Sequence, residues 1–229
     1  MAALAAGALA RTAAATTLPE LLAAVTAAVR FDAPVRADVR ITCEGCPTPT
    51  TRAVFVGRGD ALYVEVKDGA RALLRPTGSV VADGGAPTPI GTKALAGTDV
   101  LLEDLVPFTA DLLKVPQISD DGPLGVVFTG APARASAYAL LVITVSPDRS
   151  VPIKTQYYEQ SIGNLTKLRR DGAFVDVAGK SRPGEITVEQ LKKGTKTKLT
   201  LAWTPMPDAP AALFEPDGLS KPSGLSWPE

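Results

Sequence analysis

Two cysteines stand three apart in Cys43-Glu44-Gly45-Cys46, and the chain has only these two. Three carboxylates crowd one short stretch, Asp99, Glu103 and Asp104, and lysines gather between Lys192 and Lys198. Histidine is absent from all 229 residues. That absence removes the Ser-His-Asp and Cys-His arrangements of nucleophilic catalysis and every histidine-containing metal site. A zinc site on Cys43 and Cys46 would need two further Cys or His ligands, and there are none. A redox C-x-x-C sits at a helix start after a strand, whereas this pair ends a strand and enters a loop at Pro47. In an exported protein the pair therefore reads as a structural disulfide across a tight turn. A fully extended segment would hold the two Cα atoms too far apart for it. The three carboxylates could work as an acid pair in general acid–base chemistry; at a helix start they read instead as cap and dipole partners. The lysine run reads as a solvated hairpin, with contact to lipid headgroups or a partner as the alternative. No cofactor, metal or catalytic residue is expected.

Composition narrows the classes further. Acidic and basic residues number 24 each, so the basic excess of a nucleic-acid footprint is missing. Apolar residues at 45%, with 20 Gly and 20 Pro, suit a turn-rich β protein with a substantial core. The first sixteen residues are Ala-rich and resemble the apolar region of an export signal, with small-residue cleavage sites at Ala8-Leu9-Ala10 or Ala13-Ala14-Ala15. No Lys or Arg precedes that run. Either the true start lies upstream with the charged region, or this is a disordered lead. No Cys lies near the start to carry a lipid, and no 18-residue apolar span follows. The expectation is a soluble, exported chain: a leader at 1–16, one domain at 17–220 and a flexible tail at 221–229.

The elements that must position these residues follow from periodicity. Thr17-Leu18-Pro19-Glu20 is a helix start, and Leu18, Leu21, Leu22, Val25 and Val29 continue at helical spacing. Val35, Ala37, Val39, Ile41 and Cys43 alternate with Arg36, Asp38, Arg40 and Thr42, a half-buried strand. Strands follow at 52–57, 61–67, 70–75 and 79–82. The stretch 98–115 reads as helical, with Leu101, Leu102, Leu105 and Val106 as its apolar stripe and a break at Pro107. Strands resume at 123–129. A meander at 138–145, 151–159 and 165–170 forms the middle of the chain, and 138–145 is apolar on both alternating faces, so both need cover. A short strand at 173–177 precedes a hairpin of 185–191 and 196–204. In its second arm Thr197, Leu199, Leu201 and Trp203 oppose Lys196, Lys198 and Thr200. About ten to twelve strands with two helical segments predict an α+β fold that is mainly β. A long antiparallel sheet curls into a half-open barrel, and helices plug its concave face.

This order of elements, with particular phrases, resembles the outer-membrane lipoprotein-sorting family of LolA-like fold, in its uncharacterised periplasmic branch. The phrases are Gly97-Thr98-Asp99-Val100-Leu101-Leu102-Glu103-Asp104-Leu105, Leu74-Arg75-Pro76, Val151-Pro152-Ile153-Lys154-Thr155-Gln156-Tyr157-Tyr158, Leu165-Thr166-Lys167 and a closing Phe214 followed by Leu219. The resemblance runs from about Leu18 to Leu219. It implies a periplasmic carrier, not an enzyme. Such a carrier holds the acyl chains of a lipid or lipoprotein between sheet and helices, and takes them from an inner-membrane transporter towards an outer-membrane acceptor. A monomer without nucleic-acid partners is expected. A ligand-sensing or interaction domain on the same fold is the alternative.

If a cavity exists, its expected wall is Leu140, Val142, Ile153, Tyr157, Leu199, Leu201 and Trp203, with Leu102, Leu105 and Phe108 on the lid. The choice is best founded at 196–204, where the opposite face is charged. In 138–145 either face could point inward. The bland reading of the same residues is ordinary core.

Overall fold

The computed structural model describes residues 17–148 and 150–227. The signal-like leader lies outside the described residues. Helix α1 (Leu18–Val29) starts at Thr17, whose N–H and hydroxyl both donate to the Glu20 carboxylate at 2.8 Å. Leu21, Leu22 and Val25 form its buried face. Six strands follow: β1 (Phe31–Glu44), β2 (Thr50–Gly59), β3 (Ala61–Val66), β4 (Arg71–Leu74), β5 (Val80–Ala82) and β6 (Thr88–Pro89). After a loop come β7 (Leu113–Gly122), β8 (Gly125–Pro132), β9 (Leu140–Val145), β10 (Pro152–Tyr158) and β11 (Leu165–Gly172). A small separate hairpin, β12 (Val175–Val177) and β13 (Lys180–Arg182), precedes β14 (Glu185–Gln190) and β15 (Thr195–Pro205).

Thirteen of these strands make one antiparallel sheet in the order β6-β5-β4-β3-β2-β1-β15-β14-β11-β10-β9-β8-β7. Two runs of neighbours in sequence are therefore joined by the pairing of β1 with β15, in register Val39 with Leu201 and Ile41 with Leu199. The sheet is not closed: β6 and β7 are its edges. It curves enough for loops beyond its two halves to meet, since the Arg134 guanidinium, after β8, donates to the Thr77 carbonyl, after β4.

Burial is two-sided where the sheet is most apolar. On the inner face Val39, Ile41, Phe55, Val64 and Leu74 pack with Leu95, Val100, Leu102 and Leu105. A second inner cluster joins Leu21, Leu22 and Val25 of α1 to Phe108, Phe128, Leu141, Ile143 and Tyr157. On the outer face Val54, Val56, Tyr63 and Leu73 are covered by Leu213, Phe214 and Leu219 from two C-terminal 3-10 turns. Leu225 and Trp227, in the segment read as a tail, pack against this cluster as well. Arg71 reinforces that cover by donating to the Leu219 and Lys221 carbonyls at 3.1 and 2.9 Å.

The second helical segment expected at 98–115 is not an α-helix. Leu101 bridges to Ala94, Leu102–Leu105 is a single 3-10 turn, Ala110–Leu112 is another, and Leu113 already begins β7. Pro107 lacks an N–H and disfavours a helical conformation in the residue before it. The apolar stripe is real, but it packs from turns. Strand β7 gave no alternating signal because it is an edge. It is almost wholly exposed, contains Pro116, Asp120 and Asp121, and carries two register irregularities against β8.

Candidate functional site

Between the inner face, α1 and the turns at 102–112 lies a cavity of about 620 Å³. Its walls are mainly apolar, and its volume falls within the range of about 300–1,000 Å³ usual for small-ligand sites. Five of the ten expected residues line it: Leu105, Phe108, Tyr157, Leu201 and Trp203. The alternation of β15 places the last two, since Thr197, Leu199 and Leu201 are buried between exposed Lys196, Lys198 and Thr200. Trp203 is fixed by its indole N–H, which donates to the Pro183 carbonyl at 2.8 Å.

The other five stand elsewhere. Leu199 and Leu102 are packed into the inner core, outside the cavity lining. Leu140 and Val142 are only half-buried; Leu141 and Ile143 line the cavity in their place. Tyr157 pairs directly with Leu141, and directly opposed residues share a face, so an inward Tyr157 turns Leu141 inward. Ile153 is half-buried and outside the lining, because β10 is irregular between Pro152 and Lys154; Val151, Pro152 and Thr155 line the cavity instead.

One side of the cavity is a polar network that spans distant parts of the chain. The Lys167 ammonium donates to Asp104 Oδ2 at 2.7 Å and to the Tyr138 hydroxyl at 2.6 Å. The Tyr138 hydroxyl donates to Asp104 Oδ1 at 2.6 Å, and its ring lies 4.6 Å from that of Tyr157. Side-chain exposure of Lys167 and Asp104 is 3% and 0%, so this is a fully desolvated ion pair. Arg169 beside it forms a two-pronged contact with Asp171, 2.7 Å on each prong, and donates to the Asp104 carbonyl. Burial, with the Asp104 carboxylate nearby, pushes the Tyr138 and Tyr157 phenols above their ordinary range. Desolvation works against the Arg169 charge, but Asp171 outweighs it and holds the guanidinium protonated. Glu103 accepts from the Ser136 hydroxyl at 2.7 Å and the Ala137 N–H at 3.1 Å; burial nevertheless lifts its carboxyl above the usual range.

The sequence carried a faint sign of this network. Lys167 and Arg169 fall on one face of a strand, and two inward cations require inward partners. Of the expected capping carboxylates, Asp104 does accept the Leu101 N–H, at 2.8 Å. Asp99 caps nothing. It accepts from the Lys193 ammonium and from the Thr195 hydroxyl, the latter at 2.5 Å, and so ties its loop to the β14–β15 turn. Burial opposes the Asp99 charge, but Lys193 and Thr195 bring its pKa below the ordinary value. The lysine run is accordingly paired, with Lys192 on Glu159 at 2.9 Å and Lys198 on Glu185 at 2.6 Å.

The C-terminus of α1 is held from the β12–β13 hairpin. Arg182 donates to the Val29 and Arg30 carbonyls, both at 2.6 Å, and to the Ala28 carbonyl at 3.4 Å. Lys180 donates to the Ala27 carbonyl at 2.9 Å. The Arg182 guanidinium lies 4.4 Å from the centroid of the Phe31 ring. Gly57 makes room for that ring, since a Cβ there would sit 2.5 Å from it. Arg182 is 4% exposed, and burial lowers its pKa to about 10. Cys43 and Cys46 form a disulfide with Cα atoms 5.5 Å apart, away from the cavity lining. Among the described residues no group of three His, Cys, Asp or Glu converges to hold a metal ion, and no helix is long and apolar enough to cross a membrane.

The curved, open antiparallel sheet is a fold this chain shares with solved structures. A LolA superfamily protein from Nitrosomonas europaea superposes with a TM-score of 0.69 at 21% identity, over 88% of this chain and 98% of that one. An outer membrane lipoprotein-sorting protein domain from Vibrio parahaemolyticus gives 0.66 at 14% identity, over 88% and 97%. A DUF1329 family protein from Desulfovibrio piger gives 0.69 at 14%, over 86% and 96%. Within that fold the chain belongs to a family described as an uncharacterized protein, whose model matches residues 91–221, more than half of the sequence. No curated protein matches it.

Proposed function

We propose that the protein is a periplasmic carrier that shelters acyl chains of a lipid or lipoprotein in the cavity, for transfer towards the outer membrane. The carrying observation is the cavity itself: about 620 Å³ walled by Phe31, Phe55, Leu62, Leu141, Leu201 and Trp203. Its buried carboxylates already have partners, Asp104 on Lys167 and Asp171 on Arg169. Sheltering an acyl chain is worth about 0.8 kcal/mol per buried CH₂, so affinity needs no catalytic group. Helix α1 and the turns at 102–112 act as the plug on the concave side. The protein works as a monomer, receiving cargo from an inner-membrane donor and releasing it to an outer-membrane acceptor. Native mass spectrometry of the protein from its own host tests this reading. Co-purifying lipid supports it. A protein that arrives empty and fails to bind a fluorescent fatty acid refutes it.

A further inference from the structure

The size of the cavity limits how many acyl chains it can hold. A methylene takes as much room as a water in the liquid, roughly 30 Å³. The cavity of about 620 Å³ then has space for about 20 such groups, close to one long acyl chain. Two hexadecanoyl chains need about 1,000 Å³ and three about 1,400 Å³. A second cavity of about 190 Å³, between Val64, Ala72, Leu95 and Leu102, adds too little for another chain. The plug side also fixes the volume. The Ala110 N–H donates to the Thr26 hydroxyl at 2.9 Å and ties α1 to the turn at 110–112, while the Phe108 ring packs 5.5 Å from that of Phe128. Lys180 and Arg182 hold the C-terminus of α1. A larger cavity requires withdrawing α1 and breaking these hydrogen bonds.

The lining also leaves no buried charge for a headgroup to neutralise. Asp104 is on Lys167, Asp171 is on Arg169, and Glu103 takes two donors. Arg75, Arg134 and Arg182 donate to main-chain carbonyls. The Arg182 Nε–H, which lacks an acceptor, is buried away from the cavity space. Solvent reaches the lining at Gly78, Thr92, Arg134 and Ser136, which marks a mouth between the loops that follow β4, β6 and β8. We infer that the cargo is a single-chain amphiphile: one acyl chain of about 16–18 carbons, selected by chain number and length, with its headgroup left in water at this mouth. This rests on the carrier reading and narrows it. A fatty acid or a lysophospholipid fits, and a triacylated lipoprotein anchor does not.

The test combines native mass spectrometry with displacement of a fluorescent fatty acid from the full chain. The ligands are saturated fatty acids from decanoate to tetracosanoate, palmitoyl lysophosphatidylcholine, and mono-, di- and tripalmitoylated forms of one soluble peptide. One hexadecanoate should bind per protein. Affinity should rise about 4-fold per added methylene and level off near about 18 carbons. The lysolipid should match hexadecanoate to within a few fold. The di- and tripalmitoylated peptides should bind on the order of 10-fold more weakly than the monopalmitoylated one, since their further chains stay in water. Thr155→Trp, in the cavity wall, removes space for about four methylenes and should move the plateau that far towards shorter chains. Should it not fold, Thr155→Phe should make a smaller move in the same direction. Two hexadecanoates per protein, affinity still rising at tetracosanoate, or a tripalmitoylated peptide bound as tightly as the monopalmitoylated one overturns the single-chain assignment while the carrier reading stands. A plateau unmoved in a folded variant at position 155 overturns it too, as does hexadecanoate bound on the order of 10-fold tighter than the lysolipid, which would return selection to the headgroup. Failure of every chain-bearing ligand to bind removes the carrier reading and this inference with it.

Discussion

Substituting Asp104 with alanine should be among the most damaging single changes in the chain. The variant leaves the Lys167 ammonium, 3% exposed, without its carboxylate, and takes the acceptor from the Tyr138 hydroxyl. It also frees the Leu101 N–H that Asp104 caps. Breaking a buried ion pair by removing one partner costs about 3–5 kcal/mol, because the surviving charge stays desolvated. A domain of this size loses about 2–4 °C in Tm per kcal/mol, so Asp104→Ala should melt on the order of 10 °C lower. Urea unfolding should show a lower midpoint at an unchanged slope. The double variant Asp104→Leu with Lys167→Met should recover most of the loss, since an apolar replacement of a buried pair is often neutral or better. A cycle of Asp104→Leu, Lys167→Met and their double variant then isolates the coupling. A loss under about 1 kcal/mol for Asp104→Ala, or a double variant no more stable than the single, would refute the buried pair as described.

Leu201→Glu places a charge in the cavity wall at a cost of several kcal/mol unless water enters; fluorescent fatty-acid binding should vanish while circular dichroism stays native, and retained binding in a folded variant would place the cargo elsewhere. Cys43 and Cys46 should resist thiol labelling until reductant is added, and their reduction should cost about 2 kcal/mol for so short a loop. Because burial raises the Glu103 pKa, its contribution is fully present below the unfolded value of about 4.3 and is lost as pH rises through the native pKa. Glu103→Gln should therefore flatten the fall in stability above that pH, as followed by urea midpoints between about pH 4 and 7; an unchanged slope would assign the dependence to another group.

Alternation is a local property, and wherever one face is charged the sequence alone determined which residues point inward. In β15 the lysines at 196 and 198 and Thr200 turn Leu201 to the cavity, and in β1 Arg40 and Thr42 turn Ile41 to the core. The start of α1 was equally legible, because Thr17 and Glu20 make their hydrogen bonds within one turn. Where the local signal was degenerate, only tertiary structure decided. Strand β9 is apolar on both faces, so its inward set, Leu141 and Ile143, depends on pairing with Tyr157. The apolar stripe at 101–105 suited an α-helix until the bridge from Leu101 to Ala94 and the Asp104 side chain claimed its backbone as a turn. Edge strand β7 has no buried face to write a pattern into its sequence. The Asp104–Lys167 pair joins residues 63 apart, and the Arg182 contacts with the end of α1 exist only because a hairpin folds back on that helix. No spacing rule reaches such contacts, since they follow from how the sheet curls and which loops it brings together.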